Sequence, residues 1–191
     1  MNKNDIFLKF TEGDSEALSY FYTFFLNDLY AYGVSLGGDK DIVKDAIQDI
    51  FIKIHLGNKN FESIDHLKFF LLKSLKNTLY NIYSSRRVSG TTSITEDVLD
   101  FSITTTILDT IIDKEDQIEI QHKIDSLLSK LTSRQKEAIY LRFIQEMEYE
   151  EIAGILNITQ HGARKLISRS MKRLRKEQQF FLLGLLLYHF S

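Results

Sequence analysis

Apolar side chains recur every three or four residues through most of this chain, and this spacing constrains the fold more than any other feature. Such a pattern places apolar residues on one face of an α-helix. In 15–34 the pattern includes Leu18, Phe21, Phe25 and Leu29. The chain contains no proline, a residue that interrupts helices because it lacks the backbone N–H donor. The sequence therefore predicts an all-α protein.

Three predicted helices, with capping residues at their starts, occupy the first part of the chain. Asp14 or Ser15 is expected to cap the first helix, Asp39 the second and Ser63 the third, since short polar side chains accept hydrogen bonds from unpaired N–H groups there. Glycines interrupt the pattern between the helices. We therefore predict a first small helical domain at 1–88.

The next segment, 89–118, has a different composition. It begins with serines and threonines, its periodicity is poor, and its acidic residues far outnumber Lys114, the one basic residue in the segment. This composition is typical of a linker. We predict an acidic flexible linker, with a short docked helix at 106–112.

Helical periodicity returns in 119–177, where the sequence predicts a second helical domain. Thr132 and Gln135 have the spacing of a capping box, in which each side chain bonds the other residue's backbone N–H. A short helix then contains Ile152, Ala153 and Leu156, and the next contains Ala163, Leu166, Ile167 and Met171; Asn157 and Ile158 form the turn between them. This arrangement predicts a helix-turn-helix.

The second helix of that motif, 159–176, contains seven basic residues and no acidic one. A helix of this charge fits the phosphate backbone of DNA, and its first residues would face base edges in the major groove. The alternative is a solvated basic face that closes a helical bundle, but the preceding short helix and turn favour DNA. The predicted DNA contacts are Thr159, Gln160, His161, Arg164, Lys165, Arg169, Lys172 and Arg173.

Two further helices combine apolar stripes with polar residues. The helix that contains Asp45, Gln48 and Asp49 is amphipathic with these three side chains outward, and spacing alone favours a structural helix with a polar face. The helix in 63–87 interleaves basic residues with rings, a combination that suits single-stranded DNA, although the rings could equally lie in the core, Phe70 above all. Its basic residues are Lys68, Lys73, Lys76, Arg86 and Arg87, and its rings are Phe69, Phe70, Tyr80 and Tyr83.

Several functional classes are disfavoured by what the sequence contains. It has no cysteine, which excludes a disulfide scaffold and thiolate metal sites. The five histidines have no metal-ligand spacing, and no glycine-rich phosphate loop or nucleophile motif occurs. We therefore expect no enzymatic activity, metal, cofactor or small-molecule substrate. The N-terminus lacks the layout of a signal peptide, so a cytoplasmic location is expected.

The order of these motifs resembles that of an extracytoplasmic-function (ECF) sigma factor of the sigma-70 family. Asp45-Ala-Ile-Gln-Asp-Ile-Phe51 is similar to the family's Asp-x-x-Gln-(Asp/Glu)-x-Phe motif. The helical segment 71–77, which ends in Asn77, is similar to its Leu-x-x-x-x-x-Asn motif, and 131–135 with 149–158 to its fourth conserved region. The resemblance covers about residues 8–177.

The resemblance implies roles for each part of the chain. Asp45, Gln48 and Asp49 would bind the clamp coiled coil in the largest subunit of core RNA polymerase. The third helix and the loop 55–65 before it would melt the promoter −10 element and hold a flipped base. Asn77 joins the basic residues of that helix as a predicted −10 contact. The helix-turn-helix would contact the −35 element, and the acidic linker would run toward the RNA exit path.

Two features depart from the family pattern. Gly162, in the first turn of the last helix, weakens helix propensity, and it either permits close approach of the backbone to DNA or lowers affinity. The apolar tail at 178–191 contains the run Phe180–Phe190, which is too short to span a bilayer. The tail is expected to fold back on the protein's own core, to bind an anti-sigma factor or to contact a membrane surface.

A different class of protein remains as an alternative. A conventional helix-turn-helix regulator would bind duplex DNA through its C-terminal domain and use the N-terminal helices to sense a ligand or to dimerise. Binding to core polymerase discriminates the two, because such a regulator ignores core enzyme.

Overall fold

The fold is all-α, as predicted, in a computed structural model that describes residues 2–57, 60–88, 99–102 and 125–176. Within these ranges every regular element is a helix. A single helical turn at 125–128 precedes the helix that begins at Ser133. The helices are α1 (Lys3–Thr11), α2 (Ser15–Ser35), α3 (Lys40–Leu56), α4 (Ile64–Val88), α5 (Ser133–Phe143), α6 (Tyr149–Leu156) and α7 (Gln160–Lys176).

The chain divides into two compact units, unit 1 at Met1–Leu99 and unit 2 at Asp100–Ser191. Most of the predicted linker, the predicted helix at 106–112 and the apolar tail lie outside the described residues. The domain boundaries therefore stay predictions.

The predicted caps of α2, α3 and α4 are confirmed. Asp14 Oδ1 accepts a hydrogen bond from Ala17 N at 2.7 Å, and Asp39 Oδ1 accepts from the N–H groups of residues 41 and 42. Ser63 Oγ accepts from His66 N at 3.0 Å. These bonds satisfy N–H groups that have no partner within the helix, so each helix begins where the sequence indicated.

Helix α1 was not predicted from the sequence. Asn2 and Asp5 form a capping box at its start. Its buried Phe7 and Phe10 contact the ring of Phe21 on α2, at centroid distances of 5.9 and 5.2 Å. A nine-residue helix has only about two and a half turns in which a period can show, and these aromatic contacts stabilise it against α2.

Helices α2, α3 and α4 pack together to form the core of unit 1. The predicted stripes are confirmed by burial of Phe21, Phe25 and Leu29 on α2, Ile47, Ile50, Phe51 and Ile54 on α3, and Leu67, Leu71, Leu75 and Leu79 on α4. Phe61, in the loop before α4, is also buried and contacts Phe70 at 5.3 Å. Phe70 is half-buried, so it contributes to the edge of this core.

The crossing of α2 and α3 requires a glycine at position 33. A Cβ atom there would lie 2.6 Å from Val43 Cγ1 and 3.1 Å from its Cγ2. Because Val43 is fully buried, its side chain has no free space into which to move.

We expect Gly33→Ala to destabilise unit 1 by about 1–3 kcal/mol through overpacking. Hydrogen exchange of the α2 and α3 amides in the full chain measures this change separately from unit 2. Ser19→Ala on the exposed side of α2 is the control, with little effect expected. Gly33→Ala combined with Val43→Ala should cost less than the sum of the two single changes; simple additivity would mean that the contact does not set the crossing.

Unit 2 contains a buried residue from the segment predicted as a linker. Phe101 is 1% exposed, its ring lies 5.4 Å from the ring of Tyr140 on α5, and its N–H donates to Ser133 Oγ. The predicted capping box of Thr132 and Gln135 is confirmed at the start of α5. The chain therefore joins the core of unit 2 well before α5 begins.

Candidate nucleic-acid interface

Helices α6 and α7 form the predicted helix-turn-helix. Asn157 ends α6 in the left-handed conformation, with φ 51°, which asparagine tolerates better than most residues. Thr159 Oγ1 then accepts from Gly162 N at 3.0 Å and caps α7. Ala153 and Ala163 are buried where the two helices pack, so the small residues permit the close crossing. Arg134 Nη2 donates to Leu156 O at 2.8 Å and satisfies a carbonyl at the end of α6.

Gly162 has no side chain, and a Cβ atom at this position would point toward the turn. A Cβ atom there would lie 3.2 Å from Thr159 Oγ1 and 3.6 Å from Ile158 Cβ. A larger residue would therefore crowd the cap that begins α7. Close approach of the backbone to DNA stays a prediction.

The eight residues predicted to contact the −35 element are all exposed. Those on α7 lie on the side opposite its buried residues Ala163, Ile167, Ser170 and Leu174. The helix contains no acidic residue, so this surface presents positive charge without internal compensation. A surface of this kind fits a phosphate backbone.

Arg164, one of these eight residues, lies beside an aromatic ring. Its guanidinium carbon lies 5.2 Å from the ring centroid of Tyr149, the first residue of α6. The guanidinium of Arg142 lies 4.9 Å from the same centroid. Neither Arg142 nor the ring of Tyr149 could be singled out from the sequence pattern.

The predicted −10 residues lie along α4. Asn77 is exposed, whereas Lys68, Lys73 and Lys76 are half-buried; the side chains of Arg86 and Arg87 lie outside the described residues. Lys73 Nζ lies 5.3 Å from the ring centroid of Phe69, so a cation and a ring are adjacent on this surface.

Lys68, a predicted −10 residue, and Tyr83, a ring of the same helix, have partners within the described structure. Desolvation raises the pKa of the Asp28 carboxyl on α2, although the residue as a whole remains exposed, and the Lys68 ammonium opposes part of that rise. The hydroxyl oxygen of Tyr83 accepts a hydrogen bond from Asp39 N at 2.7 Å, at the start of α3. Tyr83 therefore helps to position the start of α3, and Asp28 places a negative charge near Lys68.

A cleft lies beside the loop that precedes α4. It has a volume of about 140 Å³, and residues of the α1–α2 turn face His55, Gly57 and Asn60 across it. The loop 55–65 is the segment that the family resemblance assigns to a flipped base. The sequence alone did not indicate the cleft, because its other wall comes from the α1–α2 turn.

Asp45, Gln48 and Asp49 are exposed on α3, with Ile47, Ile50 and Phe51 buried on the opposite side. Two apolar residues extend their surface: Ile52 is 52% exposed and Leu56 is 80% exposed. Residues 45, 49, 52 and 56 follow one another at intervals of three or four, so they share one face of the helix. The sequence analysis did not identify Ile52 and Leu56, because exposed apolar residues have the same spacing as core residues.

Within the described ranges, no helix is long and apolar enough to cross a membrane. The same ranges contain no group of three or more histidine, cysteine or acidic residues placed to hold a metal ion.

Comparison with known proteins agrees with this geometry. The family model described as "Sigma-70, region 4" matches residues 121–174, which include α5, α6 and most of α7. The ECF RNA polymerase sigma factor SigM of Bacillus subtilis is 24% identical over 81% of this chain and 90% of that protein. SigX, another ECF sigma factor of the same organism, is 26% identical over 85% of this chain and 87% of its own length. The RNA polymerase sigma factor YlaC, also of B. subtilis, is 29% identical over 73% of this chain and 83% of its own length. Together with the three sequence motifs, these matches support the assignment of the chain to the extracytoplasmic-function sigma factors of the sigma-70 family.

Proposed function

We propose that this chain is an alternative sigma factor that binds core RNA polymerase and directs transcription initiation at promoters with specific −10 and −35 elements. The observation that carries the proposal is the exposed, acid-free face of α7 within a helix-turn-helix that matches region 4. The chain acts by binding rather than by catalysis, and it works in the cytoplasm, where RNA polymerase acts.

The surface of α3 formed by Asp45, Gln48, Asp49, Ile52 and Leu56 binds the clamp coiled coil of the largest polymerase subunit. The exposure of Ile52 and Leu56 supports this assignment, because adjacent exposed apolar residues are a feature of protein interfaces. The acidic residues beside them would select a basic partner surface and fix its register. We call these five residues the α3 face.

The −10 element contacts α4 through Lys68, Lys73, Lys76, Asn77, Arg86 and Arg87. The adjacent Lys73 and Phe69 support this role, because single strands bind where rings and cations alternate. The cleft beside His55 and Asn60 takes the flipped base, and contacts in that cleft offset the few kcal/mol needed to unstack it.

The −35 element contacts α7, with its first turns in the major groove. Arg164 and the side chains of residues 159–161 face the bases, and the basic residues farther along the helix contact phosphates. An anti-sigma factor is a further expected partner, and the apolar tail is one segment that could bind it.

We expect Arg164→Ala to reduce transcription from −35-dependent promoters by about 5- to 100-fold, since a good bidentate contact to a base contributes about 1–3 kcal/mol of discrimination. The change should hardly alter the melting temperature, because Arg164 is exposed, so lower stability would not account for the reduction in transcription. Transcription by the reconstituted holoenzyme on templates with intact and substituted −35 elements measures it. Equal loss on all templates would assign Arg164 to a phosphate contact.

Binding experiments separate this function from that of a conventional regulator. Purified chain should co-elute with core RNA polymerase at a ratio of one to one, and alone it should bind duplex DNA weakly. Tight binding to a palindromic duplex as a dimer, with no binding to core enzyme, would show that the proposed function is wrong.

A further inference from the structure

Three side chains from separate parts of unit 2 converge beside the DNA-facing surface. Arg142 belongs to the last turn of α5, Tyr149 begins α6 and Arg164 belongs to the second turn of α7. Both guanidinium groups lie over the ring of Tyr149, at 4.9 and 5.2 Å from its centroid. The ring therefore links α5 to α7.

Arg142 is fixed by its other contacts. Its Nη1 donates to Met147 O at 2.8 Å and to Glu148 Oε1 at 3.2 Å, and 28% of its side chain is exposed. These bonds hold the guanidinium against the loop that leads into α6. The Tyr149 ring is half-buried and packs against this fixed group, so its orientation is limited too.

Arg164 differs from Arg142 because it is exposed. A long exposed side chain samples many rotamers, and ordering it at an interface lowers affinity. A ring within cation–π distance of the guanidinium restricts these rotamers. The N–H groups of an arginine held in this way are the groups that bind guanine O6 and N7.

We infer that Tyr149 is a positioning residue for −35 recognition: its ring holds the Arg164 guanidinium in the orientation that contacts a base, preferably guanine. The inference rests on the proposed function. It assigns a role in specificity to a residue that itself need not touch DNA. The Tyr149 hydroxyl has no part in this role, so the ring alone should suffice.

Three variants of the full chain test this role in the holoenzyme: Tyr149→Phe, Tyr149→Met and Arg164→Ala. Methionine keeps an apolar side chain of useful length but has no aromatic face. Transcription is measured on templates in which each −35 base pair is substituted in turn. The base pair at which Arg164→Ala loses discrimination defines the Arg164 position.

We expect Tyr149→Met to lower discrimination at the Arg164 position by about three- to tenfold, the range expected when one side chain loses its preorganisation. For Tyr149→Met, discrimination at the other positions should stay within about twofold of the wild-type value. For Tyr149→Phe, discrimination should stay within about twofold at every position, since both phenyl and phenol rings attract a guanidinium. Tyr149→Met added to Arg164→Ala should have no further effect at the Arg164 position, because the ring acts through that arginine.

Other outcomes overturn the inference. If Tyr149→Met lowers transcription equally on all templates, or adds in full to Arg164→Ala, the ring is merely structural. Hydrogen exchange of the α6 and α7 amides reports whether Tyr149→Met unit 2 stays folded. If it unfolds, Tyr149→Leu replaces it in the same comparison, and a loss of discrimination with Tyr149→Phe would itself contradict the ring's role. Absence of transcription by the wild-type holoenzyme on every template would instead reject the proposed function.

Discussion

Replacing Asp49 by lysine is expected to lower the affinity of the chain for core RNA polymerase by about 100-fold or more, because like charges placed together at an interface cost several kcal/mol. Asp49 is exposed on α3, and no hydrogen bond or ion pair of the described structure depends on it. The fold should therefore persist, and the loss should appear in binding alone. Co-elution with core polymerase, or titration of labelled chain with core, measures the change.

The control for Asp49→Lys is Glu16→Lys, which makes the same change in charge on the exposed surface of α2. We expect its affinity for core polymerase to stay within about threefold of the wild-type value, since Glu16 is not part of the α3 face and solvent and salt screen an exposed charge. If Asp49→Lys binds core polymerase as well as the wild-type chain, the α3 face is not part of the interface.

Phe101→Ala is expected to destabilise unit 2 by about 3–5 kcal/mol, the usual cost of removing a buried phenylalanine. The wild-type ring is 1% exposed and packs against Tyr140, so its removal leaves a cavity under α5. A loss of this size is a large fraction of the stability of a small domain. The exchange rates of the α5 amides should rise by about 100-fold or more, whereas those of unit 1 should not change.

Phe24→Ala gives the matched comparison for Phe101→Ala. Phe24 lies on α2 and is 43% exposed. Its replacement should raise the amide exchange rates of unit 1 modestly and leave those of unit 2 unchanged. A change of less than about 1 kcal/mol for Phe101→Ala would mean that 99–102 is part of a linker, as its composition suggested. A loss of about 3–5 kcal/mol would mean that Phe101, which precedes most of the acidic segment, is a core residue of unit 2.

The parts of the fold that depend on local chemistry could be predicted from the sequence. Asp14, Asp39, Ser63 and Thr132 cap helices because their side chains reach N–H groups two or three residues away. The apolar stripes follow from the helical repeat alone. Helix α1 was too short for that repeat to be evident, and its position depends on ring contacts with Phe21.

Phe101 could not be predicted as a core residue, because a single ring among acidic and hydroxylated residues has no period. The convergence of Arg142, Tyr149 and Arg164 has the same explanation. The three residues lie on three different helices, so helical spacing does not relate them, and the turns before α6 and α7 bring them together. Tertiary structure was needed in both cases.

The exposed apolar part of the α3 face illustrates a limit of periodicity. Ile52 and Leu56 are spaced like core residues, and only the packing of α3 against α2 and α4 determines which apolar residues remain exposed. A signal was present in the sequence, because both residues follow Asp45 and Asp49 on the same helical face. Apolar residues that continue a polar stripe therefore indicate an interface more strongly than the polar stripe alone.

The most direct test of the central claim is transcription from a pool of linear templates randomised at the −35 and −10 elements, with core RNA polymerase and the purified chain. Transcripts are expected to start only when the chain is added, and their templates are expected to be enriched in one −35 and one −10 sequence. Arg164→Ala should flatten the −35 enrichment and leave the −10 enrichment in place. Transcripts that do not depend on the chain, or templates with no enrichment at either element, would contradict the account.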